Sequence, residues 1–227
     1  MKAWITQIRD VAKDVKSFHI HIPDRPAYRP GQFLVLEMEA RGKVRKRAYS
    51  ITSPPHWENV EILVKLDPEG KVSPVLFGLE EGAELEVKLP YGMMYLHDPL
   101  PDKVVFLAGG VGLSPLLSMI RHLAHIEYEG EIVLLYGNRT PEYIICKEEL
   151  DELAQLPAIK VVYTIDHPYG TGWEGETGFI TADLIEKYCD VDESSFYICG
   201  PPQMAGHMVQ NLDELGVPHE RIREEQW

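Results

Sequence analysis

Cysteine is scarce in this sequence of 227 residues, which has only Cys146, Cys189 and Cys199. Their odd number and wide spacing argue against a disulfide framework and against a paired-cysteine metal site. An iron–sulfur cluster needs about four cysteine ligands, so this chain cannot hold such a cluster alone. Any iron–sulfur chemistry must therefore belong to a partner.

Long apolar runs are also missing. No stretch approaches the roughly 18 apolar residues of a membrane-spanning helix, and residues 1–10 lack the apolar core of a signal peptide. We therefore expect a cytoplasmic protein without a membrane span. Apolar residues make up 44% of the sequence, which suffices for one large domain or for two domains of about 100 residues each.

Basic residues are fewer than acidic residues in this chain. Lys and Arg total 22 against 36 Asp and Glu, which gives a net charge of −14. Nucleic acid is not an expected ligand, because its binding depends on neutralising phosphates with Lys and Arg. The one dense basic segment, residues 41–47 (RGKVRKR), is either a solvated turn or a local patch for an acidic partner.

Residues 1–98 have the pattern of a β domain. Apolar and polar residues alternate over 17–22 and 60–66, whereas 33–38 is more continuously apolar, and turn residues separate these runs. Several short strands spaced by turns predict an antiparallel β-barrel or sandwich.

The pattern changes after the proline-rich segment 98–102, which we interpret as a linker. From residue 103 to 227, strand-like runs alternate with helical periodicity. The expected strands are 103–108, 131–136, 159–165 and 195–199, and the expected helices are 113–124, 147–155, 181–188 and 202–215. This alternation predicts an α/β domain with a doubly wound parallel sheet. The sequence therefore predicts a two-domain protein, divided at 1–98 and 103–227.

The segment Gly109–Pro115 (GGVGLSP) lies where a predicted parallel strand meets a helix. Glycines there let backbone N–H groups approach a pyrophosphate at the positive end of the helix, and Pro115 suits a first helical turn. The spacing differs from the GxGxxG of ordinary dinucleotide folds. Taken alone, the segment is either a phosphate-binding turn or a tight structural turn.

Two further segments carry candidate chemistry. In residues 47–53 (RAYSITS), Arg47, Tyr49 and Ile51 share one face of an extended strand. The arginine can hold phosphate and the tyrosine can pack on a flat heterocycle, although an edge strand with a solvated arginine is the alternative. Cys199 ends a parallel strand, where α/β proteins bind ligands, although it could simply be a buried small apolar residue.

In this order, these segments resemble the ferredoxin–NADP reductase superfamily over nearly the whole chain. The matching stretches are PGQF at 30–33, RAYSITS at 47–53, GKVSPVLF at 70–77, PYG at 90–92, AGGVGLSP at 108–115, YGNRT at 136–140, CGPP at 199–202 and the final EQW. The resemblance implies a flavin-binding β-barrel and a pyridine-nucleotide α/β domain, with a C-terminal tail that returns to the flavin.

The resemblance also implies a flavin site. Arg47 would contact the flavin phosphates, Tyr49 would pack against the isoalloxazine, and the Ser50 hydroxyl would lie near flavin N5. The other implied flavin-binding residues are Ala48, Gly70, Lys71, Val72, Ser73 and Trp227. Trp227 would cover the flavin face on which nicotinamide must stack. FAD is favoured over FMN, because members that use FMN alone tend to have Asn where this chain has Ser53.

For the dinucleotide, the resemblance places Cys199 near the reacting nicotinamide carbon and Glu225 where it orients groups or relays a proton. With Ser50, these are the expected catalytic residues. The implied dinucleotide-binding residues are Gly109, Gly110, Gly112, Pro115, Arg139, Asp166, Cys199, Gly200 and Pro201. Asp166 would repel a 2′-phosphate and so favours NADH over NADPH, although Arg139 could accommodate that phosphate.

The histidines do not predict a metal site. His122 and His125 lie three apart on a predicted helix, but no third ligand suggests itself. His19 and His21 alternate along a predicted strand, and we expect both to face solvent.

The expected function is an FAD-dependent NADH oxidoreductase that passes electrons to a separate one-electron acceptor, such as ferredoxin or flavodoxin. Three alternatives stay open: a reductase of free flavin or another small molecule, an electron-transfer subunit of a larger iron–sulfur complex, and a flavin-binding module without turnover. The sequence does not indicate an oligomeric state.

Overall fold

The first of two six-stranded sheets comes from the N-terminal half of the chain, in a computed structural model that describes residues 1–226. Its strands are β1 (Lys2–Ala12), β2 (Val15–His21), β3 (Phe33–Ala40), β4 (Lys43–Ser50), β5 (Val60–Lys65) and β6 (Glu84–Tyr91). They are antiparallel in the order β4-β3-β6-β1-β2-β5, and a bridge between Ile51 and Ile62 brings the two edges together. The short helix α1 (Ser73–Phe77) precedes β6. The predicted antiparallel β-barrel is confirmed.

The second sheet is parallel and lies in the C-terminal half. Its strands are β7 (Lys103–Gly109), β8 (Glu131–Asn138), β9 (Ile159–Ile165), β10 (Glu176–Thr177), β11 (Ser195–Gly200) and β12 (Ile222–Gln226), in the order β10-β9-β8-β7-β11-β12. The helices are α2 (Leu113–His125), α3 (Lys147–Leu153), α4 (Ala182–Tyr188) and α5 (Pro202–Glu214). The predicted doubly wound α/β sheet is confirmed, whereas β10 and β12 were not predicted. The domain boundary at residues 98–103 stays a prediction.

The apolar pattern explains how the two sheets pack. Strands β7, β8 and β11 are apolar on both faces because helices cover both sides of a parallel sheet. Val15 and Leu63 of the first sheet lie in the same buried cluster as Leu116 and Met119 of α2. Residues of the first sheet therefore reach into the apolar core of the second domain, while the rest of the barrel core forms a separate cluster. We call this contact between the two sheets the seam.

The expectation that His19 faces solvent was wrong. Its ring stacks on Trp57, with 6.3 Å between centroids, and its Nε2 atom lies 3.5 Å from a Glu61 carboxylate oxygen. Burial lowers the pKa of His19, although the nearby Glu61 charge opposes that shift. Strand alternation failed here because Trp57, from the loop before β5, covers the outer face of β2.

A search of residues 1–226 finds no helix long and apolar enough to cross a membrane. Over the same residues, no group of three or more His, Cys, Asp or Glu side chains is arranged to hold a metal ion.

Replacing Gly112 or Gly206 with alanine should change the free energy of unfolding in opposite directions. A Cβ at Gly112 would overlap the Cys199 carbonyl oxygen, so Gly112→Ala should lower the free energy of unfolding by about 1–3 kcal/mol through overpacking. A Cβ at Gly206, inside α5, would meet no described atom within 4 Å. Gly206→Ala should therefore raise that free energy by about 0.5–1 kcal/mol, because Ala is the better helix former. Urea denaturation measures both effects, and a shared sign would contradict this account of Gly112.

Candidate functional site

The glycine segment forms a turn between β7 and α2. Gly110 has φ +52°, a conformation that glycine adopts readily, and α2 has no side-chain cap in the described part of the chain. A Cβ at Gly109 would overlap the Met204 sulfur, so a larger residue there would have to displace that side chain of α5. Gly112 packs against β11, and Pro115 is buried in the first turn of α2. The turn therefore exposes backbone at a helix N-terminus, which suits an anionic ligand.

A cavity of about 470 Å³ opens beside this turn, at the carboxyl ends of the parallel strands. The predicted residues in its wall are Gly109, Gly110, Arg139, Asp166 and Pro201. Its volume is within the range of about 300–1,000 Å³ that ligand pockets occupy, and its place at the strand ends is where α/β sheets bind nucleotides. Five predicted residues from four separate segments thus meet at one cavity.

The acidic and basic candidates lie at one end of this cavity. The Asp166 N–H donates to the Asn138 carbonyl at 2.9 Å, and the His167 N–H donates to the Arg139 carbonyl at 2.8 Å. The ends of β8 and β9 are thereby tied together. The Asp166 carboxylate lies 3.1 Å from His167 Nδ1, and the Arg139 side chain is exposed. The cavity therefore presents both a carboxylate for ribose hydroxyls and a guanidinium.

Cys199 and Glu225 are neighbours on adjacent parallel strands, in register between β11 and β12. Cys199 is fully buried. Glu225 is partly buried, and its Oε2 atom has no hydrogen-bond partner within residues 1–226. Burial raises the pKa of Glu225 to about 7. This carboxyl group can therefore carry or release a proton near neutral pH.

The residues expected to bind flavin lie on β4 in the first sheet. Arg47 is exposed, and its guanidinium donates to the Lys46 carbonyl at 2.9 Å. Tyr49 packs against the barrel core, where burial raises its pKa to about 12. Ala48 is half-buried beside it, and Ser50 ends the strand, buried and paired with Phe33.

The expected phosphate loop, residues 70–73, leads into α1 and is hydrogen-bonded to Asp67. The Gly70 N–H donates to the Asp67 carbonyl at 2.9 Å, and the Ser73 hydroxyl accepts the Asp67 N–H at 3.0 Å. Val72 is buried and Lys71 is exposed. Arg41, from the turn between β3 and β4, reaches the Gly70 carbonyl at 3.4 Å. The exposed cations Arg41 and Lys71 thus lie beside the backbone turn at Gly70. Cations beside a backbone turn are an arrangement that can bind a pyrophosphate group.

The structure brings the predicted residues together in two groups, one on each sheet. Five dinucleotide residues share the cavity, Cys199 and Glu225 lie side by side, and Ser50 belongs to the first sheet. Gly200 is buried at the end of β11, before Pro201. Trp227 lies outside the described residues. The roles assigned to these side chains stay predictions.

Sequence reasoning missed part of the cavity wall. The first sheet contributes Asp14, Val15 and Lys65, so the cavity crosses the seam. The wall residues without a prediction also include Tyr143, Phe179, Gln203, Met204, His207 and Met208. Asn138, also in the wall, falls inside the quoted YGNRT stretch, which was a usable signal. Phe179 is 73% exposed, and no sequence pattern marked it.

Comparison with known families finds two matches that together span most of the chain. Residues 2–95 match the family described as "Oxidoreductase FAD-binding domain", and residues 106–210 match "Oxidoreductase NAD-binding domain". The expectation of an FAD-binding domain followed by an NAD-binding domain is confirmed.

Curated relatives align with both domains. The glycine betaine monooxygenase reductase subunit of Pseudomonas aeruginosa is 33% identical over 220 residues, which cover 93% of this chain and 60% of that protein. NADH-cytochrome b5 reductase 1 of Candida glabrata is 32% identical over 196 residues, which cover 83% of this chain and 68% of that protein. The chain thus spans 60% of the length of the first of these relatives.

Solved structures show the same arrangement of domains. A ferredoxin reductase in carbazole 1,9a-dioxygenase is 29% identical, with a TM-score of 0.86 over 100% of this chain and 68% of that chain. The cytochrome b5 reductase domain of Ulva prolifera nitrate reductase is 26% identical, with a TM-score of 0.86 over 99% of this chain and 96% of that one. The FAD/NAD-binding domain of a Vibrio cholerae nitric oxide dioxygenase is 23% identical, with a TM-score of 0.90 over 100% and 98%, and shows the fold alone.

The carboxyl group of Glu225 should make stability depend on pH. Its pKa of about 7 in the folded protein exceeds the ordinary value of 4.5. The folded state therefore binds more protons between these values, and stability falls as the pH rises through them. Glu225→Gln removes the buried charge, so it should stabilise the protein at pH 8 and have less effect at pH 5. Urea denaturation at both pH values, with the exposed neighbour Glu224→Gln as control, tests this. A difference that is independent of pH would contradict it.

Proposed function

This chain belongs to the ferredoxin–NADP reductase superfamily of FAD- and NAD-binding oxidoreductases, and on that premise we propose that it transfers reducing equivalents from NADH through FAD to a separate acceptor protein. The residues predicted on the parallel sheet would hold NADH, which would supply a hydride, and those predicted on the first sheet would hold FAD, which would supply a group able to exchange electrons in pairs or singly. The residues of this chain bind both groups, align them and exclude water.

The observation that carries the proposal is the cavity that crosses the seam. Its floor is the glycine turn at 109–110, and its wall includes Lys65 from the flavin-binding sheet. A dinucleotide that lies with its phosphates at the turn is thereby directed toward the first sheet. Direct transfer between two cofactors requires that their sites lie close together, because the reacting atoms must come into contact.

We assign the reacting end to three side chains. Ser50 offers a hydroxyl at the end of β4, and Cys199 lines up with Glu225 on the parallel sheet. Glu225 holds a proton near neutral pH because of its burial. In this proposal Cys199 sets the position of the nicotinamide, and Glu225 orients groups or relays a proton.

The proposed donor is NADH, because Asp166 stands in the cavity wall. A carboxylate there accepts hydrogen bonds from ribose hydroxyls and repels a 2′-phosphate. Arg139 shares that wall and could pair with such a phosphate. We give Asp166 the greater weight, since it is partly buried in the wall whereas Arg139 is exposed.

The proposed acceptor is an acidic one-electron carrier protein of the ferredoxin or flavodoxin class. The basic segment 41–47 forms the turn and most of β4, the edge strand of the first sheet, and Lys43, Lys46 and Arg47 are exposed. The same strand continues to Tyr49 and Ser50. On a chain with net charge −14, this segment offers an acidic carrier local attraction beside the proposed flavin site.

A second candidate is the reductase component of an oxygenase system. The names of two relatives, the glycine betaine monooxygenase reductase subunit and a propane 2-monooxygenase reductase component, favour it. In this case the electrons pass to an oxygenase protein.

The dinucleotide preference should depend on Asp166. Replacing Asp166 with Ser removes the repulsion of a 2′-phosphate while Arg139 remains, so the specificity constant for NADPH relative to NADH should rise at least about tenfold, as expected for roughly 1.4 kcal/mol. Steady-state kinetics with both donors measures the ratio. Asp183→Ser, at an exposed position on α4, is the matched control. An unchanged ratio of specificity constants in Asp166→Ser would contradict the proposal that this carboxylate determines the preference for NADH.

The acceptor surface should respond to charge reversal. Lys43→Glu with Lys46→Glu should raise the KM for an acidic [2Fe–2S] ferredoxin, and the effect should shrink at high salt because exposed charges are screened. Reduction of a neutral quinone should not change. Lys2→Glu with Lys160→Glu makes the same change in net charge elsewhere. Equal effects of the two double variants would show that segment 41–47 is not the docking surface.

A further inference from the structure

The segment that follows β4 is held on both sides. Thr52 donates its N–H to the Glu61 carbonyl at 2.8 Å, and the Ser53 hydroxyl accepts the Glu61 N–H at 2.9 Å. These bonds fasten the segment to β5 within the first sheet. Its other side faces α2 across the seam, and Thr52 and Ser53 are both fully buried.

Arg121 of α2, in the second domain, forms hydrogen bonds with this segment. Its guanidinium donates to the Thr52 carbonyl at 3.0 Å and to the Glu61 carboxylate. Through Nε and Nη2 it also forms a bidentate pair with Glu149 of α3, at 2.6 and 2.7 Å. The guanidinium lies over the Trp57 ring, 4.7 Å from the centroid. Nη1 therefore joins the two domains, whereas Nε and Nη2 anchor the guanidinium to α3 within the second domain. The side chain is only 7% exposed.

Ser118 adds a second link from the same face of the helix. Its hydroxyl donates to the Ser53 carbonyl at 2.7 Å, in a buried position. Ser118 and Arg121 are three residues apart, so they project from one side of α2. Two consecutive carbonyl groups of the first domain are thus bound by two side chains of one helix.

The other end of α2 begins at the glycine turn. Leu113 starts the helix directly after Gly112, and Arg121 lies eight residues later, about 12 Å along the axis. The carbonyl held by Arg121 belongs to Thr52, two residues after Ser50. A short, rigid helix therefore connects the floor of the dinucleotide cavity to the strand end that carries the proposed flavin hydroxyl.

We infer that Arg121, assisted by Ser118, is a positioning residue that sets the separation between the nicotinamide site and the flavin site. This inference rests on the proposed function. The two side chains fix the register of α2 against residues 50–53, and α2 carries the glycine turn with it. Hydride transfer depends on the alignment of the two reacting atoms, so a loosened register slows transfer without removing either binding site.

Stability alone does not account for this arrangement. Glu61 is 3% exposed and Arg121 is 7% exposed, so both charges are removed from water. A well-packed apolar pair is often as stable as a buried ion pair, whereas a forked guanidinium has strict geometry. The positioning role predicts that a change in this geometry is felt at the cofactors even when the fold is retained.

Three variants test the inference in the FAD-loaded protein. Arg121→Lys keeps the positive charge but cannot span Thr52, Glu61 and Glu149 together. Glu61→Gln with Arg121→Met removes both buried charges at once, which protects against misfolding caused by one unpaired charge. Ser118→Ala removes only the link to Ser53. The matched control is Lys103→Met, which breaks the contacts of Lys103 with Asp190 and Glu193 inside the second domain.

The measurement is the single-turnover rate of flavin reduction by NADH, followed anaerobically over a range of NADH concentrations. The Arg121 variants should lower the limiting rate by about 10- to 100-fold, as expected for a misplacement on the order of 1 Å, with an unchanged dissociation constant for NADH. Ser118→Ala should lower it less, and Lys103→Met should not lower it. The long-wavelength absorbance of the stacked nicotinamide–flavin pair should weaken, and the Thr52 amide should exchange hydrogen faster.

The inference is overturned if the Arg121 variants match the unmodified protein in limiting rate and in long-wavelength absorbance. A loss confined to NADH affinity, or an equal loss of rate in Lys103→Met, overturns it as well. If NADH does not reduce even the unmodified protein, the proposed function fails and the inference fails with it. Where Arg121→Lys does not fold, the double variant and Ser118→Ala decide by the same criteria.

Discussion

The contact between helix α2 and the segment after β4 is the constraint on which the rest of the structure depends. A two-domain oxidoreductase must hold two ligand sites in fixed relation, although each site is built on its own sheet. Here Val15 and Leu63 pack into the core of the second domain, and the hydrogen bonds of Arg121 and Ser118 define the register of the two sheets. Apolar packing is non-directional, so it stabilises the contact without fixing its geometry. The forked guanidinium has fixed donor directions and therefore sets the relative position of the two sheets.

The cavity follows from that constraint. Parallel strands end together, and the backbone at their ends is free to bind ligands because the helices turn away there. The glycine turn at 109–112 brings α2 and α5 close to this edge, and Lys65 from the first sheet completes the wall. The cavity therefore depends on the contact between the two sheets. The burial that raises the pKa of Glu225 arises at the same edge of the sheet.

Much of the fold could be predicted from the sequence because its signals are local. The strand at 159–165 and the helix beginning at Leu113 agree with the predicted bounds, since each has an unbroken apolar period. Strand β12 was missed because IREEQ has one apolar residue, and its pairing with β11 supplies what the pattern lacks. The solvent exposure expected for His19 was wrong because strand alternation cannot show that Trp57 folds over it.

The candidate site was predictable only in part, for a similar reason. Gly109 ends a strand and Arg139 and Asp166 each follow one, so the topology of a parallel sheet brings them together. Lys65 and Phe179 reach the cavity through contacts between distant segments, which no local pattern records. Arg121 contacts Thr52, Glu61 and Glu149, which are far apart in the sequence. Taken singly, the three charged residues of this cluster look like ordinary surface charges of a helix or strand.

The central claim is that one chain binds both cofactors and passes a hydride between them. The most direct test is an anaerobic absorbance titration of the purified, FAD-loaded protein with NADH and, separately, with NADPH. We expect a yellow protein whose flavin absorbance is bleached rapidly by one NADH per FAD and slowly by NADPH. A protein that binds no FAD, or that stays yellow with excess NADH, would contradict the account and reduce the likeness to one of fold alone.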